Sequence, residues 1–553
     1  MADPVRVAFL GGLGEIGRNC AVIEQSGRLV VLDCGVFFPN VEMPGVDLVL
    51  PDFSMLRERA GDVDGIVLSH GHEDHVGAVA YLLREVRAPV YGSAFTLGIA
   101  RNRLEEANLA AEAKLVVVAD GERRRIGPFD VEFIPVTHSV PHGFATAFHT
   151  AQGVILHSGD FKLDLTPVDG RRTDLARIGE LASTSGIRLL LSDSTNAEEP
   201  GFTGSESLVG ESLRRIIDTR QGRRIIVACF ASHVHRIQQL ADAAVASGRK
   251  IALLGRSMLK NVALAREQGL LSIPDQAMVD IESVDRLDPG EVCILSTGSQ
   301  GEPMSALSLM AGGESRWLTV GDGDVVVLSS HAIPGNEWAV AQVMDGLARR
   351  GAEVIHAAIA HVHESGHARQ GELETLLSIA KPTSFVPVHG EYRHLLAHSR
   401  IAIAMGVPAD SVLLCEDGDV VELGDEGIDF GPEVPSSYVF VDGISGDVGL
   451  GVLRDRRVLA EEGVVVAVVT VDRRSGELLG RPEVVSRGFL DEAGHEDLAA
   501  EARSVIEKAL EVAAAEGRHD PDGLRRVIRR AIGRLVNEKT RRRPMIVPVV
   551  VEA

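Results

Sequence analysis

Cysteine and aromatic residues are scarce in this chain, and each scarcity excludes a class of protein. The 5 cysteines among 553 residues are scattered and never in CxxC spacing, which argues against disulfides and thiolate zinc, so we expect reduced core cysteines. Aromatic residues make up 4%, few for a protein that grips many bases by stacking. No uncharged apolar run is long enough to cross a bilayer, and the N-terminus has no signal-peptide pattern. We therefore expect a cytoplasmic protein with no membrane partner.

Positive charge is also in short supply, since the formal net charge is −23. Phosphate affinity comes largely from Lys and Arg, so this balance disfavours a general nucleic-acid binder. Basic residues cluster locally at 123–125, 525–530 and 539–543, where solvated surface is the default interpretation. Any nucleic-acid role must therefore depend on a local groove or on metal ions.

The pattern of apolar segments predicts several domains, because the chain is too long for one hydrophobic core. Short apolar strands and Gly-rich loops fill residues 1–204 and return at 353–430, while residues 205–352 alternate strand and helix patterns, as in a parallel α/β domain. Gly, Pro, Asp and Ser accumulate near 424–450, which predicts a linker over 431–458. Residues 459–553 are typical of a small α+β domain.

One motif suggests a dinucleotide site. Gly12-Leu-Gly14-Glu-Ile-Gly17 fits GxGxxG, and Asp33 stands at the distance of a ribose-binding acid. A dinucleotide fold needs a helix next, but the residues that follow Gly17 predict a hairpin with a turn at Gln25-Ser-Gly27. The sequence therefore disfavours a Rossmann fold.

A cluster of potential metal ligands gives the strongest chemical signal. The apolar strand before Ser69 ends in His70-Gly-His72-Glu-Asp74-His75, and imidazole and carboxylate are the ligands of catalytic zinc. A solvated His-rich loop is the alternative. It does not explain why three more strands end in the same residue types, at His138, Asp160 and His389.

HxHxDH followed by a lone His, an Asp and a late His is the signature of the metallo-β-lactamase superfamily, which this chain resembles. The resemblance implies an αββα sandwich and two metal ions, held by His70, His72 and His138, by Asp74, His75 and His389, and by Asp160 as the bridge. It also implies that Asp33 orients the metal loop from behind the ligands. Two divalent cations activate a water and clamp the oxygens of an in-line displacement.

The α/β segment at 205–352 further resembles the insert of the β-CASP nucleases. Two more motifs match that subfamily, Asp193 at a strand end and the loop His363-Glu-Ser-Gly-His367. The resemblance implies that His367 stabilises or protonates the departing oxygen and that Asp193 orients it or shares the proton work. An N-cap role is the alternative for Asp193.

Within that subfamily the chain resembles the bacterial ribonuclease J family nearly from end to end. That resemblance implies 5′-to-3′ exonuclease and endonuclease activity on single-stranded RNA, in mRNA decay and rRNA maturation, and a pocket for a 5′-monophosphate. The candidate pocket residues are Ser232, His233, His235, Gly298, Ser299, His363, Glu364, Ser365, Gly366 and His367. Hydroxyl and N–H groups on such loops favour phosphate, although ordinary turns with Ser caps are the alternative.

The same resemblance implies a structural calcium ion and self-association. Asp47, the carbonyl of Val49 and Asp442 are the candidate calcium ligands, since hard oxygens suit that ion, and two unrelated surface acids are the alternative. Relatives assemble as homodimers or homotetramers through the C-terminal domain, and other RNA-decay proteins are expected partners.

The sequence thus predicts a zinc-dependent ribonuclease with two Zn²⁺ ions per subunit. Oxygen- and nitrogen-rich sites also accept Mn²⁺. Two other functions stay open at this point, a β-CASP nuclease that acts on DNA and a non-catalytic RNA-binding scaffold.

Overall fold

A computed structural model describes residues 3–40, 42–333, 335–443, 446–488 and 492–553. The chain divides into two compact units, residues 1–37 with 50–438 and residues 38–49 with 439–553. Up to residue 193 it forms strands β1 (Val5–Gly11), β2 (Leu13–Gly14), β3 (Cys20–Gln25), β4 (Arg28–Leu32), β5 (Leu48–Leu50), β6 (Val63–Val67), β7 (Val90–Gly92), β8 (Leu115–Val117), β9 (Arg123–Ile126), β10 (Phe129–Val136), β11 (Gly143–Thr150), β12 (Gly153–His157) and β13 (Ile187–Asp193). Its helices there are α1 (Ser54–Glu58), α2 (Glu73–Val76), α3 (Val79–Glu85), α4 (Ala94–Glu106) and α5 (Leu175–Thr184).

A second domain interrupts the first. It contains α6 (Glu206–Thr219), β14 (Ile225–Ala228), α7 (Val234–Ala246), β15 (Lys250–Leu254), α8 (Arg256–Glu267), β16 (Val292–Ser296), α9 (Ala306–Gly312), β17 (Val325–Leu328), α10 (Glu337–Arg349) and β18 (Glu353–Ile355). The first domain then resumes with α11 (Gln370–Ala380), β19 (Ser384–Val388), β20 (Gly390–Glu391), α12 (Tyr392–Ala404), β21 (Val420–Gly424) and β22 (Gly427–Phe430).

Two sheets form the first domain, in the orders β22-β21-β1-β3-β4-β6-β7-β8 and β19-β13-β12-β11-β10-β9. Their facing sides share one apolar core, which joins Val7 and Val30 of the first sheet to Phe133, Leu189 and Val386 of the second. Helices α5, α11 and α12 cover the outer side of the second sheet. Continuous apolar runs such as Leu189–Leu191 follow from this, because both faces of the second sheet are buried. The predicted sandwich is confirmed.

The inserted sheet is entirely parallel, with the order β15-β16-β14-β17-β18. Its last strand, β18, follows residue 352, where we predicted the insert to end. A strand of three residues is too short for its pattern to show which sheet it joins, so periodicity alone could not assign it.

The second unit combines β23 (Val439–Asp442), β24 (Gly446–Asp447), α13 (Gly449–Glu462), β25 (Val464–Val471), β26 (Glu483–Arg487), α14 (Glu492–Ala515), α15 (Pro521–Thr540) and β27 (Met545–Glu552). Strands β26-β25-β27 form one sheet, and β24-β23-β5 form another. Buried residues of α14 and α15 share a core with β25. The linker predicted over 431–458 therefore contains strand β23 and most of α13. Its Gly- and Ser-rich turns lie between short regular elements, which the composition alone did not show.

Candidate active site

Three histidines and one aspartate meet at the carboxyl ends of strands in both sheets of the sandwich. His72 Nδ1 lies 3.1 Å from both His70 Nε2 and His138 Nε2. Asp160 Oδ2 lies 3.5 Å from His70 Nε2 and 3.8 Å from His138 Nε2. These four donor atoms lie within 4.8 Å of one another.

A second group shares the carboxylate of Asp160. His75 Nε2 and His389 Nε2 lie 3.2 and 3.1 Å from Asp160 Oδ2, and 3.6 and 3.5 Å from Asp74 Oδ2. Because one carboxylate belongs to both groups, two cations held here would be neighbours, as in two-metal hydrolase sites.

The hydrogen bonds behind the ligands fit metal binding. His138 Nδ1 donates to the carbonyl of Gly366 at 2.8 Å, and His75 Nδ1 donates to Asp33 Oδ2 at 2.8 Å. His70 Nδ1 lies 3.0 Å from the hydroxyl of Ser69, which donates to Asp33. In each of these three rings Nδ1 is engaged on the outer side, so Nε2 is the nitrogen that faces the centre. A bound cation would accept its lone pair, because a neutral imidazole nitrogen is a common metal ligand.

Two residues of the site have left-handed backbone conformations, which non-glycine residues rarely adopt. Asp33 follows β4 with φ 59°, and His389 follows β19 with φ 55°. Asp33 is held by its N–H to Val67, and His389 by its N–H to Gly12. Such strain costs about 1–3 kcal/mol and persists where surrounding contacts fix it, commonly at functional sites.

Burial and mutual charge set the protonation of the cluster. Burial opposes the ionised form of Asp160, yet His389, His75 and His70 hold its pKa well below the usual range. Burial opposes the charged form of His389, but Asp160 raises its pKa to about 10. Burial, reinforced by neighbouring imidazoles, holds the pKa of His138 well below its usual range. At neutral pH His138 is therefore neutral and His389 carries a proton, which a bound cation would displace, because metal binding releases protons from its ligands.

Asp193 and His367 form a pair beside the metal-ligand cluster. His367 Nδ1 donates to Asp193 Oδ2 at 2.8 Å, and the other carboxylate oxygen of Asp193 accepts from the N–H and hydroxyl of Thr195. Burial opposes the charged form of His367, but Asp193 raises its pKa. Asp193 holds the imidazole in the tautomer that leaves Nε2 free to donate or accept a proton.

Several of the expected phosphate-pocket residues lie around one cavity next to His138. They are His233, His235, Glu364, Ser365 and Gly366, and Lys162, His142 and Arg171 line the same cavity. Ser232, Gly298, Ser299, His363 and His367 are outside this lining. The side chain of Ser365 accepts a hydrogen bond from Asn196 and another from the N–H of His367. These contacts tie the cavity to the loop that carries the Asp193–His367 pair.

Sequence reasoning missed a buried acid that supports this loop. Glu372 is fully buried, and its carboxylate accepts from the N–H groups of Leu163, Thr203 and Arg369 at 2.7–2.8 Å. Its position three residues into a helix is the spacing of a capping box, and that signal could have revealed it. Lys162 and Arg171 carried no comparable motif.

The candidate calcium ligands lie in the second unit. Asp442 is 2.5 Å from the guanidinium of Arg456, which also donates to the carbonyl of Gly45. The carboxylate of Asp47 accepts from the N–H of Gly443. An arginine thus supplies a positive charge beside Asp442, and calcium binding stays a prediction.

Comparison with known families gives consistent matches along the chain. The matching profiles are the metallo-beta-lactamase superfamily at residues 13–219, the ribonuclease J beta-CASP domain at 222–347, the Zn-dependent metallo-hydrolase RNA specificity domain at 353–411 and the ribonuclease J C-terminal domain at 451–553. A solved structure of an Enterococcus faecalis V583 protein of unknown function covers 76% of this chain and all of its own, with TM-score 0.53 and 16% identity. That likeness supports the fold alone. Within the described residues, no helix combines the length and apolar character needed to span a bilayer.

Curated relatives match over the full length. Ribonuclease J of Mycolicibacterium smegmatis is 44% identical, over 99% of this chain and 97% of its own. Ribonuclease J2 of Bacillus subtilis is 38% identical, over 100% and 99%. The resemblance inferred from the motifs is confirmed. The chain belongs to the ribonuclease J family, and it is a metal-dependent, RNA-binding ribonuclease with a β-CASP insert.

Proposed function

We propose that this ribonuclease uses two zinc ions to cleave single-stranded RNA, as a 5′-to-3′ exonuclease and an endonuclease, and leaves a 5′-phosphate. The observation that carries the proposal is the convergence of seven donor side chains beside the Asp193–His367 pair. The proposed ligands are His70, His72 and His138, then Asp74, His75 and His389, with Asp160 shared. Asp33 is proposed to orient His75.

The protonation states and contacts of the site residues suggest how they take part in the reaction. Bound divalent cations would supply an activated water and neutralise charge on the phosphate. The water oxygen forms a bond to phosphorus and releases a proton to solvent, while the bond from phosphorus to the 3′-oxygen breaks. His367, protonated and held by Asp193, donates its Nε2 proton to the departing 3′-oxygen. The products are a 3′-hydroxyl and a 5′-phosphate.

We propose that the 5′-monophosphate of RNA binds next to His138, in the cavity lined by Ser365, Gly366 and His233. Gly366 supports this, because its carbonyl holds His138 while the next residue is His367. A phosphate fixed on this loop would therefore set the distance from the 5′ end to the bond that is cut. Lys162 and Arg171 line the same cavity and would supply positive charge to the phosphate.

End-labelled RNA tests the proposal directly. We expect the purified protein with zinc to release mononucleotides from the 5′ end of a 5′-monophosphate RNA faster than from its 5′-triphosphate form. Equal rates on the two RNAs would contradict the proposed monophosphate pocket. Mononucleotide release from the 3′ end would contradict the proposed 5′-to-3′ direction. A matched DNA oligomer is the comparison for a DNA nuclease, and an RNA that is bound but never cut would indicate a scaffold.

We also propose a cytoplasmic homodimer or homotetramer that joins through the C-terminal unit and acts in mRNA decay and rRNA maturation with other RNA-decay proteins. Helices cover one face of the β26-β25-β27 sheet, whereas Val485, Val547, Val549 and Val551 on the other face are 38–45% exposed. We expect light scattering to give a multiple of 59.1 kDa, reduced to a monomer by Val549→Glu. A wild-type monomer at micromolar concentration would contradict the assembly.

A further inference from the structure

Helix α15 and the residues after it carry a concentration of positive charge that the active site does not use. Residues 521–543 contain 8 arginines, 1 lysine and only 2 acidic residues, in a chain of net charge −23. Extended basic segments of this kind attract polyanions, and their effect is local when the remaining surface is acidic.

The arginines lie on the outer side of the helix. Leu524, Ile528, Ile532 and Val536 are buried against the rest of the C-terminal unit. Arg526, Arg530 and Arg534 each follow a buried residue by two positions, about 200° around the helix, and all three are exposed. Successive members rise about 6 Å along the axis and turn by about 40°, so the three arginines form a slanted stripe on one side of the helix.

Within the described part of the chain, the stripe has no acidic partners that would explain it as a salt-bridged surface. Arg525 pairs with Asp522 and Lys539 pairs with Glu501. Among the residues that the structure describes, Arg526, Arg530 and Arg534 form no ion pair within 4.0 Å. Three neighbouring guanidinium groups without counter-charges repel one another, and an anionic ligand would relieve that repulsion.

We propose that this stripe, Arg526, Arg530 and Arg534, binds the phosphate backbone of single-stranded RNA outside the active site. The inference rests on RNA being the substrate. Guanidinium groups bind phosphate oxygens bidentately. The exposed side chains of residues 521–543 include no aromatic residue, so contact is with phosphates and independent of base identity. The site holds long RNA near the enzyme while short RNA depends on the cavity alone.

The test compares two triple variants of the full-length, zinc-loaded protein. One is Arg526→Gln, Arg530→Gln, Arg534→Gln. The other is the matched control Arg473→Gln, Arg474→Gln, Arg481→Gln, which removes the same charge from exposed positions of the same unit. Circular dichroism and thermal melting establish that both fold. The substrates are unstructured 5′-monophosphate RNAs of 30 and 6 nucleotides, assayed between 50 and 200 mM salt.

We expect the stripe variant to raise KM for the 30-mer at least tenfold with kcat unchanged, and to leave the 6-mer unaffected. The logarithm of the binding constant falls linearly with the logarithm of the salt concentration. Loss of three phosphate contacts should make this slope shallower by about 2. Wild-type KM and salt slope in the stripe variant, or an equal change in the control, would overturn the inference. The wild-type protein could instead bind vesicles with 30% phosphatidylserine. If the stripe variant loses that binding and keeps its KM for RNA, the stripe binds a membrane surface. If wild type cleaves no RNA, the proposed function fails, and anisotropy with the uncut 30-mer still tests the stripe.

Discussion

The Nδ1 atom of His367 lies 2.8 Å from Oδ2 of Asp193, across 174 positions of the chain. The two residues lie on opposite sides of the inserted domain in sequence, and Thr203 and Asn196 both hydrogen-bond to the carbonyl of His367. The pair is therefore assembled by the return of the chain from the insert into the sandwich.

Replacement of His367 tests proton transfer to the leaving group separately from metal binding. We expect His367→Ala to lower kcat by about 10²–10⁴-fold, because the departing 3′-oxygen loses its proton donor. Bound metal measured by mass spectrometry should stay at the wild-type content, since His367 is not among the proposed ligands. Asp193→Asn should give a smaller loss, and the exposed His519→Ala serves as the control. Near-normal turnover by His367→Ala would assign the proton to another group.

Removal of the second ligand group should abolish cleavage without unfolding the protein. We expect Asp74→Ala combined with His75→Ala to bind one metal ion per chain instead of two and to show no RNA cleavage. Neither side chain belongs to the apolar core that the two sheets share, so the melting temperature and some RNA binding should be retained. Persistent cleavage by the purified double variant contradicts the two-metal assignment.

Glu372 should matter for stability as well as for the geometry of the site. Glu372→Gln leaves at least one buried N–H group of Leu163, Thr203 or Arg369 without an acceptor, at a cost of about 1–3 kcal/mol. We expect a lower melting temperature and also a reduced kcat, because the loop with His367 leads directly into the helix that carries Glu372. The exposed Glu374→Gln, on that helix, is the matched control. Equal melting of the two variants would show that the three donors find other acceptors.

A buried histidine away from the metal ligands predicts acid sensitivity. Burial lowers the pKa of His398 to about 3, and its Nδ1 lies 3.0 Å from the hydroxyl of Ser194. An unfolded histidine titrates near 6.5, so the unfolded state binds a proton first as pH falls. Stability from His398 is thus complete above about pH 6.5 and decreases below it, by about 1.4 kcal/mol at pH 5.5. Between pH 7.5 and 5.5, His398→Phe should lose less thermal stability than wild type or the exposed His519→Phe. An identical loss in all three would show that His398 does not titrate in this range.

The metal-ligand cluster was accessible to sequence analysis because each ligand interrupts or ends an apolar strand, as His138 and His389 do. A polar ligand at the end of an apolar strand is visible within a single segment of sequence. The hydrogen bonds of Glu372 were not visible in this way, because its partners come from three distant segments and leave no periodic pattern. Strand β18 and the regular elements within 431–458 are hard to assign from sequence for a related reason, since sheet membership depends on long-range pairing rather than local composition.

The order of the proposed ligands along the chain affects when the site can form during synthesis. Strand β19 lies beside β13 in the sheet although the insert separates them in sequence, and His389 follows β19. During synthesis, a chain that has emerged only as far as the insert holds six of the seven donors and neither His367 nor the closing strand. With the ligands proposed above, we expect activity only after the ribosome has released some 390 residues, and closure of this long loop is expected to be a slow step in folding.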